Sequence, residues 1–131
     1  MKKDIEIYSS KENLRVVEKV IDEMSIELNL SDEVYGNILV ATMEATNNAI
    51  VHGNQSDPEK QVKVYIVKKE RDLLIRIIDQ GKGFDYTSVP DPTSPENIEK
   101  INGRGLFLMK RLSDGMCFEE QGRVVELKFR I

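Results

Sequence analysis

Glu44, Asn48 and His52 recur every four residues within Met43-Glu44-Ala45-Thr46-Asn47-Asn48-Ala49-Ile50-Val51-His52-Gly53-Asn54. On a helix that spacing sets all three on roughly one side. The other sides carry Ile38, Leu39, Val40, Ala41, Ala45, Ala49 and Ile50, most of them fit for burial. A polar stripe on so apolar a helix needs partners, from the chain or from a ligand, because buried carboxylates and amides are costly when unpaired. The asparagine carbonyl oxygen is a hard ligand of the kind Mg²⁺ accepts beside waters and phosphate oxygens. The glutamate suits general-base work where a hydroxyl or water lies within hydrogen-bond reach. Spacing alone leaves open the plainer alternative of two helix residues bonded to a neighbouring loop.

Two further segments carry chemistry. Asp79-Gln80-Gly81-Lys82-Gly83 follows an apolar run. An ionised carboxylate at the end of a buried strand is expensive without a donor, and an adenine exocyclic amine is such a donor. Gly81 and Gly83 let the backbone approach a flat ring closely or take positive φ. Gly103-Arg104-Gly105 is expected just before a helix beginning at Leu106. There, free N–H groups and the helix dipole attract phosphate, and Arg104 adds charge-assisted hydrogen bonds. Taken singly, each segment also fits an ordinary turn, or a loop entering a helix with a solvated arginine. The spacing is neither that of a P-loop nor a Gly-x-Gly-x-x-Gly leaving an early strand. A nucleotide bound here is bound by a different arrangement.

These segments need a scaffold, and 131 residues with 40% apolar content suffice for one domain around one core. The 19 basic and 23 acidic residues give a net charge of -4, which lends no support to nucleic acid as a bulk partner. Cys117 is the lone cysteine, so no intramolecular disulfide forms, as fits a reducing cytosol. With one histidine it makes no zinc cluster, and it is expected to pack as a small apolar residue. The start, Met1-Lys2-Lys3-Asp4-Ile5-Glu6, does not read as a signal peptide, and no run approaches the ~18 apolar residues of a membrane span.

Alternation predicts strands at 4–8, 61–68 and 73–79, and a terminal hairpin from Met116 to Phe129 joined around 119–122. Ser9 and Glu12 have capping-box spacing ahead of a helix at about 10–29. Ser31 is placed to cap a second helix running to Gly53, which suits a left-handed end. The 80–102 connection exceeds the ~12–15 residues usual for structureless loops and is expected to be functional, with a short helix at 96–100. A helix over 106–112 follows, with Lys110 and Arg111 on a solvated face. Strand, helix, helix, two strands, long loop, helix and two strands predict an α+β two-layer sandwich. Its mixed, largely antiparallel sheet carries helices on one face.

Together the three segments closely resemble the boxes of the GHKL, or Bergerat-fold, ATP-binding family shared by gyrase, histidine kinases and MutL. More narrowly, the chain is similar to bacterial anti-sigma-factor serine/threonine kinases. Glu44 to Gly53 matches the N box, Asp79 to Asp85 the first glycine box, and Gly103 to Met109 the second. Order and spacing agree over nearly the whole chain. The resemblance implies ATP and Mg²⁺ as cofactors, with Asn48 holding the metal and Asp79 receiving the adenine amine. Gly81 and Gly83 would shape the pocket floor. Gly103, Arg104, Gly105 and Leu106 would form the phosphate cradle, and 85–102 the ATP lid. It implies Glu44 as general base toward a serine or threonine of a small anti-sigma-factor antagonist protein. A sigma factor is the other implied partner, the location is cytoplasmic, and a homodimer is expected, for which the 4–8 strand offers an unpaired edge. Other readings are a nucleotide-gated sigma-binding module without kinase activity, a simple ATPase, and, more weakly, a detached histidine-kinase catalytic domain. His52 and Asn47 either touch phosphate or serve local structure, and Arg104 contacts phosphate or a protein partner.

Overall fold

The computed structural model describes residues 1–82 and 101–131, the first three of the latter by backbone alone. Strand β1 (Lys2–Tyr8) leads through a 3-10 turn at Lys11–Asn13 into α1 (Leu14–Glu27) and then α2 (Asp32–Asn48). α2 continues as a π-helical turn, Ala49–Gly53. β2 (Gln61–Lys69) and β3 (Asp72–Ile78) form a hairpin; α3 (Ile101–Leu112), β4 (Gly115–Glu119) and β5 (Val124–Arg130) complete the described chain. The strands form one five-stranded sheet in the order β1-β2-β3-β5-β4, and every pairing is antiparallel.

Alternation decides the layers. Ile5 and Ile7, Val62, Val64 and Ile66, Leu73, Ile75 and Ile77, and Leu127 and Phe129 all turn to the buried face. Val17, Ile21 and Met24 from α1, Ile38, Ala41 and Ala45 from α2, and Met109 from α3 join the same core. The intervening residues carry the polar face, where Arg76 is held by Glu119 at 2.7 Å and Glu126 at 2.9 Å. The expected α+β two-layer sandwich is therefore present. The apolar run at 73–79 is the middle strand of the sheet, and 2–8 is an edge strand.

Several local expectations are corrected. The capping box does not form. Ser9 is buried and donates its hydroxyl to Lys60 O at 2.7 Å, while Ser10 Oγ donates to Glu12 at 3.2 Å. The tertiary tie between the ends of β1 and β2 uses the serine that local pattern assigned to a cap. Ser31 does cap α2, accepting from Val34 N at 3.2 Å. Gly53 is not a left-handed terminus. The positive φ values fall at Gln55 (52°) and Ser56 (56°), and Asn54 N donates to Ala49 O at 2.8 Å to close the π turn. Cys117 is exposed rather than packed. The glycine-containing segment 103–105 does not precede a helix but lies within α3. The short helix expected at 96–100, and residue Gly83, fall outside the described residues.

Candidate functional site

The site is built along one helical run, from Glu44 to Gly53. Glu44 and Asn48 sit one turn apart on α2 and are both half-buried. α3 packs directly on α2, and it does so at Gly105, which is buried. A β-carbon there would stand 3.1 Å from Asn48 Nδ2, 3.2 Å from Glu44 Oε2 and 3.5 Å from Asn48 Oδ1. The two polar side chains thus converge on one point, and the absence of a side chain at 105 lets the helices meet there. His52 lies past the change to π-helical winding, out of α-helical register with Glu44 and Asn48, and is exposed. The expected three-residue stripe is therefore a two-residue one.

At the far end of the run the helix meets the end of β3. Asp79 is half-buried, and its backbone N–H donates to Arg123 O at 2.9 Å. Its carboxylate Oδ1 accepts from Gly81 N at 2.8 Å. Burial pushes the Asp79 pKa above the ordinary carboxylate value; the Gly81 N–H and the charges of Arg123 and Lys60 offset this in part. A carboxylate has about four lone-pair sites, and among the described residues the Gly81 N–H fills one of them. That is the condition under which an exocyclic amine is welcome.

The two glycines beside it serve close approach. A β-carbon on Gly53 would overlap the Asp79 carboxylate, 2.5 Å from its Cγ, and one on Gly81 would overlap Gly53 O, 2.7 Å from the Gly53 carbonyl carbon. Neither glycine has positive φ. What requires a glycine at 81 in the fold is close approach to the Gly53 backbone, not positive φ.

Asn54 escaped sequence reasoning. It is 1% exposed and bonds to three segments at once. Nδ2 donates to Ser9 Oγ at 2.8 Å and to Gln61 O at 3.0 Å, and Oδ1 accepts from Gln80 N at 2.7 Å. Nothing local marks it, since an asparagine after a glycine reads as a helix end. On α3, Arg104 is exposed and Leu106 half-buried against the core. Gly103 is described by backbone alone, inside the helix. Gly105 is the fifth residue of α3, where a backbone N–H belongs to the helical ladder rather than to the free first turn. The cradle expected at Gly103–Gly105 is thus not open in this conformation.

A sheet covered on one face by helices, with its polar groups where the long helix meets both the central strand's end and a glycine-bearing helix, is the architecture of an ATP-binding two-layer sandwich. The chain belongs to the histidine kinase-like ATPase domain family, whose model matches residues 7–129. It is 26% identical over 133 residues to an anti-sigma F factor of Clostridium botulinum (strain Eklund 17B / Type B), covering 97% of this chain and 92% of that protein. It is 25% identical to the serine-protein kinase RsbW of Oceanobacillus iheyensis, covering 90% of this chain and 78% of that one. An anti-sigma F factor of Shouchella clausii is 30% identical over 102 residues, covering 76% of this chain and 69% of the relative. The crystal structure of the RsbU and RsbW domains of Rv1364c from Mycobacterium tuberculosis superposes with a TM-score of 0.73 at 16% identity. That likeness covers 99% of this chain and 32% of that one, and it agrees with the fold. Among the described residues no helix is long and apolar enough to cross a membrane.

Proposed function

We propose that this protein is an ATP-dependent serine/threonine protein kinase and anti-sigma factor of a bacterial partner-switching pathway, acting on a small anti-sigma-factor antagonist protein. The observation that carries the reading is the convergence of Glu44 Oε2 and the Asn48 amide at Gly105. A carboxylate and a neutral amide oxygen at one point are a fitting donor set for a general base beside a Mg²⁺-phosphate group. The names of the relatives, anti-sigma F factor and serine-protein kinase RsbW, support the same reading.

Asp79 takes the adenine amine, and Gly81 with Gly83 forms the floor beneath the base. Arg104 and the stretch from Gly103 to Leu106, once released from the helical ladder of α3, neutralise the phosphates. Asn48 holds Mg²⁺, which when bound offsets the charge of the phosphates. Glu44 orients the incoming serine or threonine hydroxyl and takes its proton. The hydroxyl oxygen forms a bond to the γ-phosphorus as the bond to the β–γ bridging oxygen breaks, and ADP departs with that electron pair. The expected lid, 85–102, lies outside the described residues up to 100, and its last two residues open α3; in the proposed mechanism it is the segment that closes over the nucleotide.

Incubation with labelled ATP and the candidate antagonist tests the reading. Transfer of label to a serine or threonine is expected. Glu44→Gln should abolish that transfer, by about 10²-fold or more, and leave ATP affinity within about threefold. Equal loss of transfer and binding would remove Glu44 from the role of base, and hydrolysis without transfer would turn the assignment to a simple ATPase.

A second reading is favoured by α3. Because Gly105 now rests on Glu44 and Asn48, seating a triphosphate there requires α3 to shift, so nucleotide would gate whatever surface α3 presents to a sigma factor. A homodimer through the β1 edge is part of the same proposal.

A further inference from the structure

The backbone beyond β3 leaves the sheet at Ile78, and what fixes the next three residues is specific. Asp79 N donates to Arg123 O, Gln80 N to Asn54 Oδ1, and Gly81 N to the Asp79 carboxylate itself. The middle bond is the one made by a side chain from another element. That side chain is buried, and its amide cannot be turned over: Nδ2 faces the Gln61 carbonyl and Oδ1 faces the Gln80 N–H. Ser9 completes the set by accepting from Asn54 and donating to Lys60 O. Gln80 is tied a second time, its side-chain Oε1 accepting from Gln61 N at 2.7 Å. Asn54 also directly follows Gly53, whose backbone presses on both the Asp79 carboxylate and Gly81. One residue therefore joins the end of the helical run to the backbone on the C-terminal side of Asp79.

We propose that Asn54 is a positioning residue for adenine recognition, holding the Gln80 peptide so that the Asp79 carboxylate keeps its direction toward the base. This rests on the assignment of Asp79 as acceptor of the adenine amine. The step is physical: the Gln80 N–H lies one peptide beyond Asp79, so its bond to a buried, unturnable amide sets the backbone torsion from which the carboxylate projects. Without it, the Gln80 N–H loses its acceptor, and the 79–81 segment reorients to find another.

The test compares calorimetric affinities for ATP and for purine riboside 5′-triphosphate, which lacks the exocyclic amine and keeps the ribose and phosphates. The wild-type protein should prefer ATP by about tenfold or more, the range expected of one hydrogen bond to a charged group. Asn54→Ala should collapse that preference to about twofold, with affinity for the purine riboside nucleotide nearly unchanged. Asn54→Ser serves the same comparison should the alanine variant not fold. Ser9→Ala, which removes the neighbouring bonds but leaves Asn54 Oδ1 on Gln80, should lower the melting temperature and keep the preference for ATP. Equal weakening toward both nucleotides in the Asn54 variants, or loss of preference in Ser9→Ala, would overturn the inference and leave Asn54 a staple of the fold. A wild-type protein that binds ATP without preferring it, unchanged by Asp79→Asn, would instead overturn the Asp79 assignment and the inference with it.

Discussion

Asp79 is kept in a poor place for a carboxylate. Burial raises its pKa, so the folded chain binds its proton more tightly than the unfolded chain does. Between the unfolded and the raised folded value, stability falls as pH rises. The ionised carboxylate is thus a stability liability at neutral pH. Asp79→Asn should leave thermal stability unchanged or improved at pH 7, narrow the gain in stability on acidification, and weaken ATP binding. Melting curves between pH 4 and 7 together with calorimetry check this, and a variant that melts markedly lower at pH 7 would contradict it. Gly53→Ala acts at the same place by crowding. Its methyl would overlap the Asp79 carboxylate, so it should cost roughly 1–3 kcal/mol by urea unfolding and weaken ATP binding as well.

At the scale of elements, α3 is the part most at odds with its expected task. Its Gly103 and Gly105 lie within helix, where each is less favourable than alanine by about 1 kcal/mol. Glycines so placed lower the cost of opening this stretch of helix, which the proposed phosphate cradle at Gly103–Gly105 requires. Gly105→Ala separates the two roles. The added methyl would stand 3.1–3.2 Å from the ends of the Asn48 and Glu44 side chains, which must give by a few tenths of an ångström. The gain in helix propensity offsets that crowding, so stability should stay within about 1 kcal/mol, while phosphotransfer falls by about tenfold or more because the methyl occupies the meeting point. Denaturation and transfer assays on the same preparation distinguish this from general damage, which would lower both.

The whole molecule supplies a rigid sheet against which these small displacements matter. Ile75 is fully buried on the central strand, paired with Ile66 on one side and Leu127 on the other. Ile75→Ala should cost about 2–5 kcal/mol in urea unfolding, a large share of the roughly 5–15 kcal/mol that stabilises a domain of this size. The polar face is less consequential: Arg76 with Glu119 and Glu126 is partly exposed, and such pairs contribute little.

By itself the sequence determined the order of the described elements, the two-layer class and the strand faces, and it singled out three candidate segments. Those depend on short-range facts, namely period-two and period-3.6 alternation and the residue types within each box. Boundaries failed where a distant partner outbid a local one. Ser9 left its expected cap to bond Lys60, Gly53 gave up a left-handed end to lie against Asp79, and 103–105 joined a helix seated on α2. Only the tertiary structure decided that Glu44 and Asn48 converge while His52 does not, because the change to π-helical winding after Asn48 has no signature in periodicity. It alone brought Asn54 into the candidate site, since the three groups that satisfy its amide lie 7 to 45 residues from it along the chain.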